Sequence, residues 1–214
     1  MRTKTTRFKK NFAGFQAKYD EESYQVHKTR KSELFSEVEG TVLEIGPGTG
    51  VNFLFLENHP VKWIGIEPNP AMHPYLLEAA AKQSIPVSLL ECYTENICLP
   101  DSQVDYVIST EVLCSVTDLH KSLLEIKRVL KPDGKFLFLE HVVDKKNLVR
   151  RAVQKTVPYT PWKCFSDGCN PGRDIGAAIE NVGFSDVRYT NYLREVNNII
   201  TMINRPHIYG WAIK

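Results

Sequence analysis

Three glycines two residues apart, Gly46, Gly48 and Gly50, are the first residues of this chain whose type and spacing imply chemistry. They follow Thr41-Val-Leu-Glu-Ile45, which reads as a short buried strand through Val42, Leu43 and Ile45, and they precede a helix expected over 51–57. Glycine at such a turn lets backbone N–H groups approach a ligand with no Cβ in the way. A helix start adds unpaired N–H groups and the positive end of a dipole. Together these predict a seat for an anionic group on a small ligand. The next strand, Val61-Lys-Trp-Ile-Gly-Ile66, runs into Glu67. That acid falls about 20 residues past the glycines, where doubly wound nucleotide folds place the carboxylate that grips ribose hydroxyls. The expected ligand is a nucleoside cofactor.

The dinucleotide fingerprint G-x-G-x-x-G is not met, because Val51 stands where its third glycine belongs. A carboxylate, Glu44, sits inside the strand instead, giving E-x-G-x-G-x-G over 44–50. That pattern resembles motif I of the class I S-adenosylmethionine (SAM) methyltransferases. The resemblance implies that SAM is the cofactor, with the turn at Gly46, Gly48 and Gly50 facing its methionine part and Glu67 its ribose. Glu44, Pro68 and Asn69 would complete that end of the site. Thr94 and Glu95, in the polar loop 93–101, would frame the adenine, and Thr110 would close the cofactor site from the end of a later strand.

These residues need a scaffold, and 214 residues provide one domain with an ample core. A net charge of +2 gives no argument for nucleic acid. Basic residues do gather in 1–31, which reads as a solvated helix face or a weak peripheral contact with an anionic membrane surface. No run of about 18 apolar residues suggests a membrane span, and no apolar segment near the start suggests a secretory signal. Five cysteines at irregular spacing do not read as a disulfide framework. Cys164 and Cys169 lack C-x-x-C spacing and a second pair, so no metal site is expected. A reducing, cytoplasmic compartment follows.

In order, residues 6–37 read as a helical cap, with Phe8, Phe12, Phe15 and Tyr19 at helix spacing as core or lid contacts. Tyr19 is a candidate to close over the cofactor. Strands follow at 41–45, 61–67, 86–91, 104–111 and 135–142, separated by helices at 51–57, 71–83 and 119–130. Pro132-Asp-Gly134 reads as a turn. This alternation predicts an α/β, doubly wound, mostly parallel sheet. The segment 144–172 reads as an irregular insertion forming a lid over the acceptor site. A helix over 172–183 and two hairpin-like strands, 184–190 and 205–214, complete a seven-stranded sheet whose last strand is antiparallel. The expected organisation is a helical cap over 1–40 and a SAM-binding domain over 41–214.

With the elements placed, the resemblance widens. Asp105-Tyr-Val-Ile-Ser-Thr-Glu-Val-Leu-Cys-Ser-Val116, Glu125-Ile-Lys-Arg-Val-Leu-Lys-Pro-Asp-Gly134, Glu67-Pro-Asn-Pro70 and Glu140-His-Val142 are similar to the methyltransferase-like thiol S-methyltransferases. So are Asp167-Gly-Cys-Asn170 and the ending Arg205-Pro-His-Ile-Tyr-Gly210. That family methylates small alkyl thiols at the endoplasmic reticulum and lipid droplets, and its members usually begin with a hydrophobic anchor, which these residues lack. Its second-strand acid is usually Asp; Glu67 retains the ability to bind a ribose diol.

Methyl transfer from a sulfonium to a thiol asks the protein chiefly to align two sulfurs. A free thiol has a pKa of about 8.5, so a base or a positive field helps form the thiolate. His141, at the end of the fifth strand, is the first candidate base, against a core histidine that is merely hydrogen-bonded. Asp167, with Cys169, is the second, in a loop that could wall the acceptor site. Cys114 is expected to line the cofactor pocket, and His207 to be structural. Other acceptors for the same fold are lipid-like amines, phenols and quinones, methylated on N, O or C. A non-catalytic SAM-fold interaction protein is the remaining alternative.

Overall fold

The computed structural model describes residues 2–162, 166–195 and 202–214, with side chains from residue 7 onward. The elements are α1 (Arg2–Phe35), β1 (Gly40–Ile45), α2 (Phe53–Leu56), β2 (Val61–Ile66), α3 (His73–Lys82), β3 (Ser88–Leu90), β4 (Val104–Thr110), α4 (Leu119–Val129), β5 (Leu130–His141), α5 (Leu148–Thr156) with a 3₁₀ turn (Val157–Tyr159), α6 (Ile175–Glu180), β6 (Asp186–Leu193) and β7 (Pro206–Ile213). They form one seven-stranded sheet in the order β3-β2-β1-β4-β5-β7-β6. The first five strands pair in parallel, and β7 runs antiparallel between β5 and β6.

Strand side chains alternate between faces, so a sheet covered on both sides needs apolar residues at every position. Leu43, Val107, Phe136 and Phe138 enter a core closed by Leu123 and Ile126 of α4 and Ile175 and Ile179 of α6. Their neighbours Val42, Ile108 and Leu137 enter a second core closed by Phe35 of α1, Phe53 and Leu56 of α2 and Leu76 of α3. The chain leaves β1 toward β2 on one side and returns to β4 on the other. The carboxyl ends of β1 and β4 therefore bound the crevice where open α/β sheets bind ligands.

Several expectations are corrected. The N-terminal segment is a single 34-residue helix, but its aromatic stripe is not core: Phe8 and Phe15 are exposed, and Ala13, His27, Lys31 and Phe35 are the buried residues. The C-terminal half of α1 supplies Tyr24, Leu34 and Phe35 to the core, so helix spacing alone does not identify the covered face. Tyr19 stacks on Phe15 and donates to Glu22 of its own helix. The turn expected at 132–134 is a bulge within the long β5, with Asp133 at φ 61°.

The segment 144–172 is not irregular throughout: it holds α5, anchored by Gln154. That side chain is fully buried, accepts from the Asp144 N–H and donates to the carbonyls of Val142 and Ile203. Cys92 and Cys98 are disulfide-bonded across the loop after β3, contrary to the reading of the cysteines as unpaired. Cysteine count and spacing do not reveal a local loop that turns two side chains toward each other. Among the described residues, no helix is long and apolar enough to cross a membrane.

Candidate active site

The glycine turn is left-handed three times over. Gly46, Gly48 and Gly50 have φ of 58°, 57° and 89°, a region that an L side chain occupies at a cost. They serve different ends. A Cβ on Gly46 would lie 2.7 Å from a methyl of Val112, and one on Gly50 would lie 2.9 Å from Phe53, so both are needed for packing. A Cβ on Gly48 would meet no protein atom within 4 Å. Gly48 is where backbone lies open to an approaching ligand. The helix that follows has only four residues, so the dipole expected there contributes little.

Glu67, just past β2, faces this turn. Its Oε2 accepts from the Gly48 N–H at 3.0 Å and its Oε1 from the Asn69 N–H at 2.7 Å. Burial raises its pKa, opposed by these two donors and reinforced by the charge of Asp167. A carboxylate has about four acceptor sites, so two remain for a ribose diol. The open face at Gly48 and the acid beside it fit the donor and acceptor needs of a SAM-type cofactor. Residues around them are held from α1. Asp20 accepts from the Thr49 hydroxyl at 2.7 Å, the Asn69 amide donates to the Lys9 carbonyl, and Lys9 Nζ donates to the Pro68 carbonyl.

Glu44 has a different setting. It is 1% exposed, and its two oxygens accept from Asn52 Nδ2 at 2.8 Å and Trp63 Nε1 at 2.9 Å. Asn52 also donates to the Thr110 hydroxyl and accepts from Lys31 Nζ at 2.7 Å. The structure thus joins Glu44 to Thr110 through Asn52, as a buried brace beneath the turn rather than a surface facing a ligand. Thr94 is buried. Glu95 accepts from the backbone N–H groups of Thr117 and Asp118, tying its loop to the start of α4.

At the carboxyl edge of β4 and β5 lies a group of buried titratable side chains. His141, the last residue of β5, is 3% exposed, and its Nε2 lies 3.4 Å from Cys169 Sγ. Its Nδ1 has no hydrogen-bond partner. Burial pushes the imidazole pKa down, but Cys114, Glu111 and Glu140 outweigh it and hold it at about 9. Cys114 and Cys169 are both buried and unbonded to other cysteines. The loop carrying Cys169 is docked on the β4 exit loop: Arg173 donates to the carbonyls of Leu113 and Val116, each at 2.6 Å, and the Asn170 N–H donates to the Cys114 carbonyl. Glu140, raised to about 7 by burial, braces the same loop from below by accepting from the Ser109 hydroxyl and the N–H groups of Val112 and Leu113.

The two candidate catalytic residues are not brought together. Asp167, at φ 47° in the same loop as Cys169, is exposed and shares no hydrogen bond with His141. Its charge acts on Glu67, and Lys9 acts on it, which puts it on the cofactor side of the cleft. A further set went unread in the sequence. Glu111, at φ 58°, pairs with His207 at 3.2 Å, Arg194 at 3.5 Å and His27 at 3.7 Å. His207 thus belongs to a charged cluster that reaches α1. The left-handed Glu111 just past β4 was the available signal, and sequence does not display φ.

Residues 43–138 match the family model described as a methyltransferase domain. The chain is 35% identical over 203 residues to thiol S-methyltransferase TMT1B of Rattus norvegicus, covering 90% of this chain and 81% of that one. It is 32% identical over 197 residues to thiol S-methyltransferase TMT1A of Homo sapiens, covering 87% and 79%. The YcgJ protein of Bacillus subtilis superposes with a TM-score of 0.68 at 16% identity, covering 89% of this chain and 98% of that one.

Proposed function

The chain belongs to the thiol S-methyltransferase family, and from that premise we propose that this SAM-dependent methyltransferase methylates the sulfur of a small alkyl thiol. The observation that carries the acceptor class is the buried imidazole of His141, whose ring nitrogen lies within 4.8 Å of the sulfurs of Cys114 and Cys169 at the carboxyl edge of β4 and β5. Glu111 and Glu140 oppose the effect of burial and favour a proton on this imidazole, and a protonated imidazole favours the thiolate over the thiol of a nearby acceptor.

Glu67 and the Gly48 turn would hold the cofactor, with Asn69 fixing the orientation of the Glu67 carboxylate. When bound, the cofactor supplies a methyl group on a sulfonium, already a reactive donor. Glu140 and Arg173 fix the β4 exit loop and the Cys169 loop on either side of His141, so the cluster is rigid before an acceptor arrives. Rigid placement is the main contribution a protein makes to such a displacement. Burial of the cluster excludes water, which would compete for the field of the imidazolium.

Transfer of label from methyl-labelled SAM to a panel of alkyl thiols, hydrogen sulfide, phenols, amines and phosphatidylethanolamine tests the proposal. Label on thiols is the expected result. Label only on oxygen, nitrogen or carbon acceptors would overturn the thiol assignment and leave the family and cofactor unchanged.

A further inference from the structure

The Cys114–His141–Cys169 cluster has a composition that base catalysis alone does not require. One ligand atom from each residue lies within 4.8 Å of the others, and the three residues are 2%, 3% and 6% exposed. We propose that these three side chains bind a zinc ion, with a fourth coordination position open to a thiolate.

The spacing supports this. Tetrahedral zinc with Zn–S of about 2.3 Å and Zn–N of about 2.1 Å has ligand edges of about 3.5 Å for S···N and about 3.8 Å for S···S. The observed Cys169 Sγ to His141 Nε2 separation is 3.4 Å. The remaining pairs lie within 4.8 Å and need to close by at most about 1.3 Å to reach those edges. The donor set is soft, which selects zinc over magnesium or calcium. Three protein ligands of the Cys₂His type, with one position left over, are the pattern of catalytic rather than structural zinc.

Charge points the same way. Two thiolates and a neutral imidazole around a divalent ion make a complex with no net charge, which suits a site removed from water. Formation releases to solvent the protons of both cysteines and the one that His141 carries when protonated. The neighbouring cluster of His27, Glu111 and His207 has comparable spacing but not comparable chemistry. There Arg194 already pairs with Glu111, and the charge of Lys31 acts on His27, so a further cation is opposed. Among the described residues, no lysine or arginine pairs with Cys114 or Cys169.

The fourth position rests on the S-methylation reading. An acceptor R–SH that displaces water from the ion gives up its proton to solvent and remains as a bound thiolate, since a thiol coordinated to zinc is deprotonated outright. With Nε2 on the metal, His141 is a ligand, and the ion takes over from the imidazole the task of forming the thiolate. The ligands come from the β4 exit loop, the end of β5 and the docked loop before α6, so no local motif announces them.

The test uses untagged full-length protein purified without chelators. Elemental analysis is expected to find about one zinc per chain, lost in Cys114→Ser and Cys169→Ser. Folding of each variant is checked by binding of S-adenosylhomocysteine. Wild-type protein stripped of metal and loaded with cobalt(II) should develop a thiolate-to-metal charge-transfer band, which an alkyl thiol shifts with no SAM present. Folded, cofactor-binding wild-type protein with neither zinc nor that band overturns the site, while label transfer to thiols is judged separately. A cobalt band that thiols fail to move overturns the open position alone. If the band responds to thiols and no label reaches them, the metal site stands and the S-methylation reading falls.

Discussion

The backbone N–H of Gly48 donates to Oε2 of Glu67 across the crevice, at 3.0 Å. This bond joins the turn after β1 to the acid after β2, so the two halves of the cofactor seat are set by each other. Glu67 thus fixes the turn, and the proposed function gives it a second task, offering its remaining lone pairs to the cofactor.

Glu67→Gln should separate these tasks. The amide oxygen can accept from Gly48 or from Asn69 but not both, and a neutral acceptor binds a diol less well. Charged hydrogen bonds are worth about 1.5–3 kcal/mol, so S-adenosylhomocysteine should bind at least about tenfold more weakly by titration calorimetry, with a stability loss of about 1–2 kcal/mol for the N–H left without its acceptor. Unchanged affinity would remove Glu67 from the cofactor site.

The glycines of the turn should respond in opposite ways. Gly46→Ala places a methyl 2.7 Å from Val112 at a left-handed residue, and it should destabilise by about 3 kcal/mol in urea unfolding. Gly48→Ala meets no protein atom, so its stability cost should be only about 1 kcal/mol of backbone strain. Its loss should appear in cofactor affinity instead, by about tenfold or more.

Glu44 should behave as a structural residue. Glu44→Ala strands the Trp63 indole N–H and one Asn52 donor in the core, a cost of about 3 kcal/mol for two unsatisfied groups. Glu44→Gln should cost less. If instead Glu44→Gln leaves stability intact and abolishes cofactor binding, the brace is the wrong description.

His27 should make stability fall in mild acid. Burial, aided by Lys31, His207 and Arg194 and opposed by Glu111, lowers its pKa to about 3. The unfolded chain takes up a proton near pH 6.5 that the folded chain refuses, so the unfolded state binds more protons between those values. Stability therefore rises with pH there, and is lost as pH drops from about 6.5 toward 3, by up to about 1.4 kcal/mol per unit. His27→Gln keeps an acceptor for the Tyr192 hydroxyl and should flatten that part of the urea-midpoint profile.

The helix α1 should act as a cap on the cofactor seat. Asp20 holds Thr49 and Lys9 holds Pro68 and Asn69, all next to the glycine turn or Glu67. Bound S-adenosylhomocysteine is expected to slow amide exchange in residues 7–20, and Asp20→Ala to speed cofactor dissociation. Exchange in this stretch that ignores the ligand would dissociate the cap from the site.

The glycine turn, Glu67 and the order of strands and helices were legible because each is written over a short stretch. Period-2 alternation in Val42-Leu43, Val107-Ile108 and Phe136-Leu137 feeds two cores, so continuous apolar runs announce a doubly covered sheet. The face of α1 was misread because its spacing shows which residues align, not how far the helix travels over the sheet. Glu44 was assigned to the ligand from its place in the motif, whereas its oxygens are consumed by Asn52 and by Trp63 from the neighbouring strand.

Local chemistry in the sequence thus determined the fold class and pointed to a nucleoside cofactor, since turn geometry and strand burial depend on neighbours a few positions apart. Only the tertiary structure decided which distant groups meet at the carboxyl edge. His141 and Cys169 lie 28 residues apart in sequence, and Glu111 and His207 lie 96 apart. Nothing local couples such positions. Glu111 meets His207 because β7 inserts antiparallel beside β5 while β4 ends next to it, and Cys169 meets His141 because its loop docks on the β4 exit through Asn170 and Arg173.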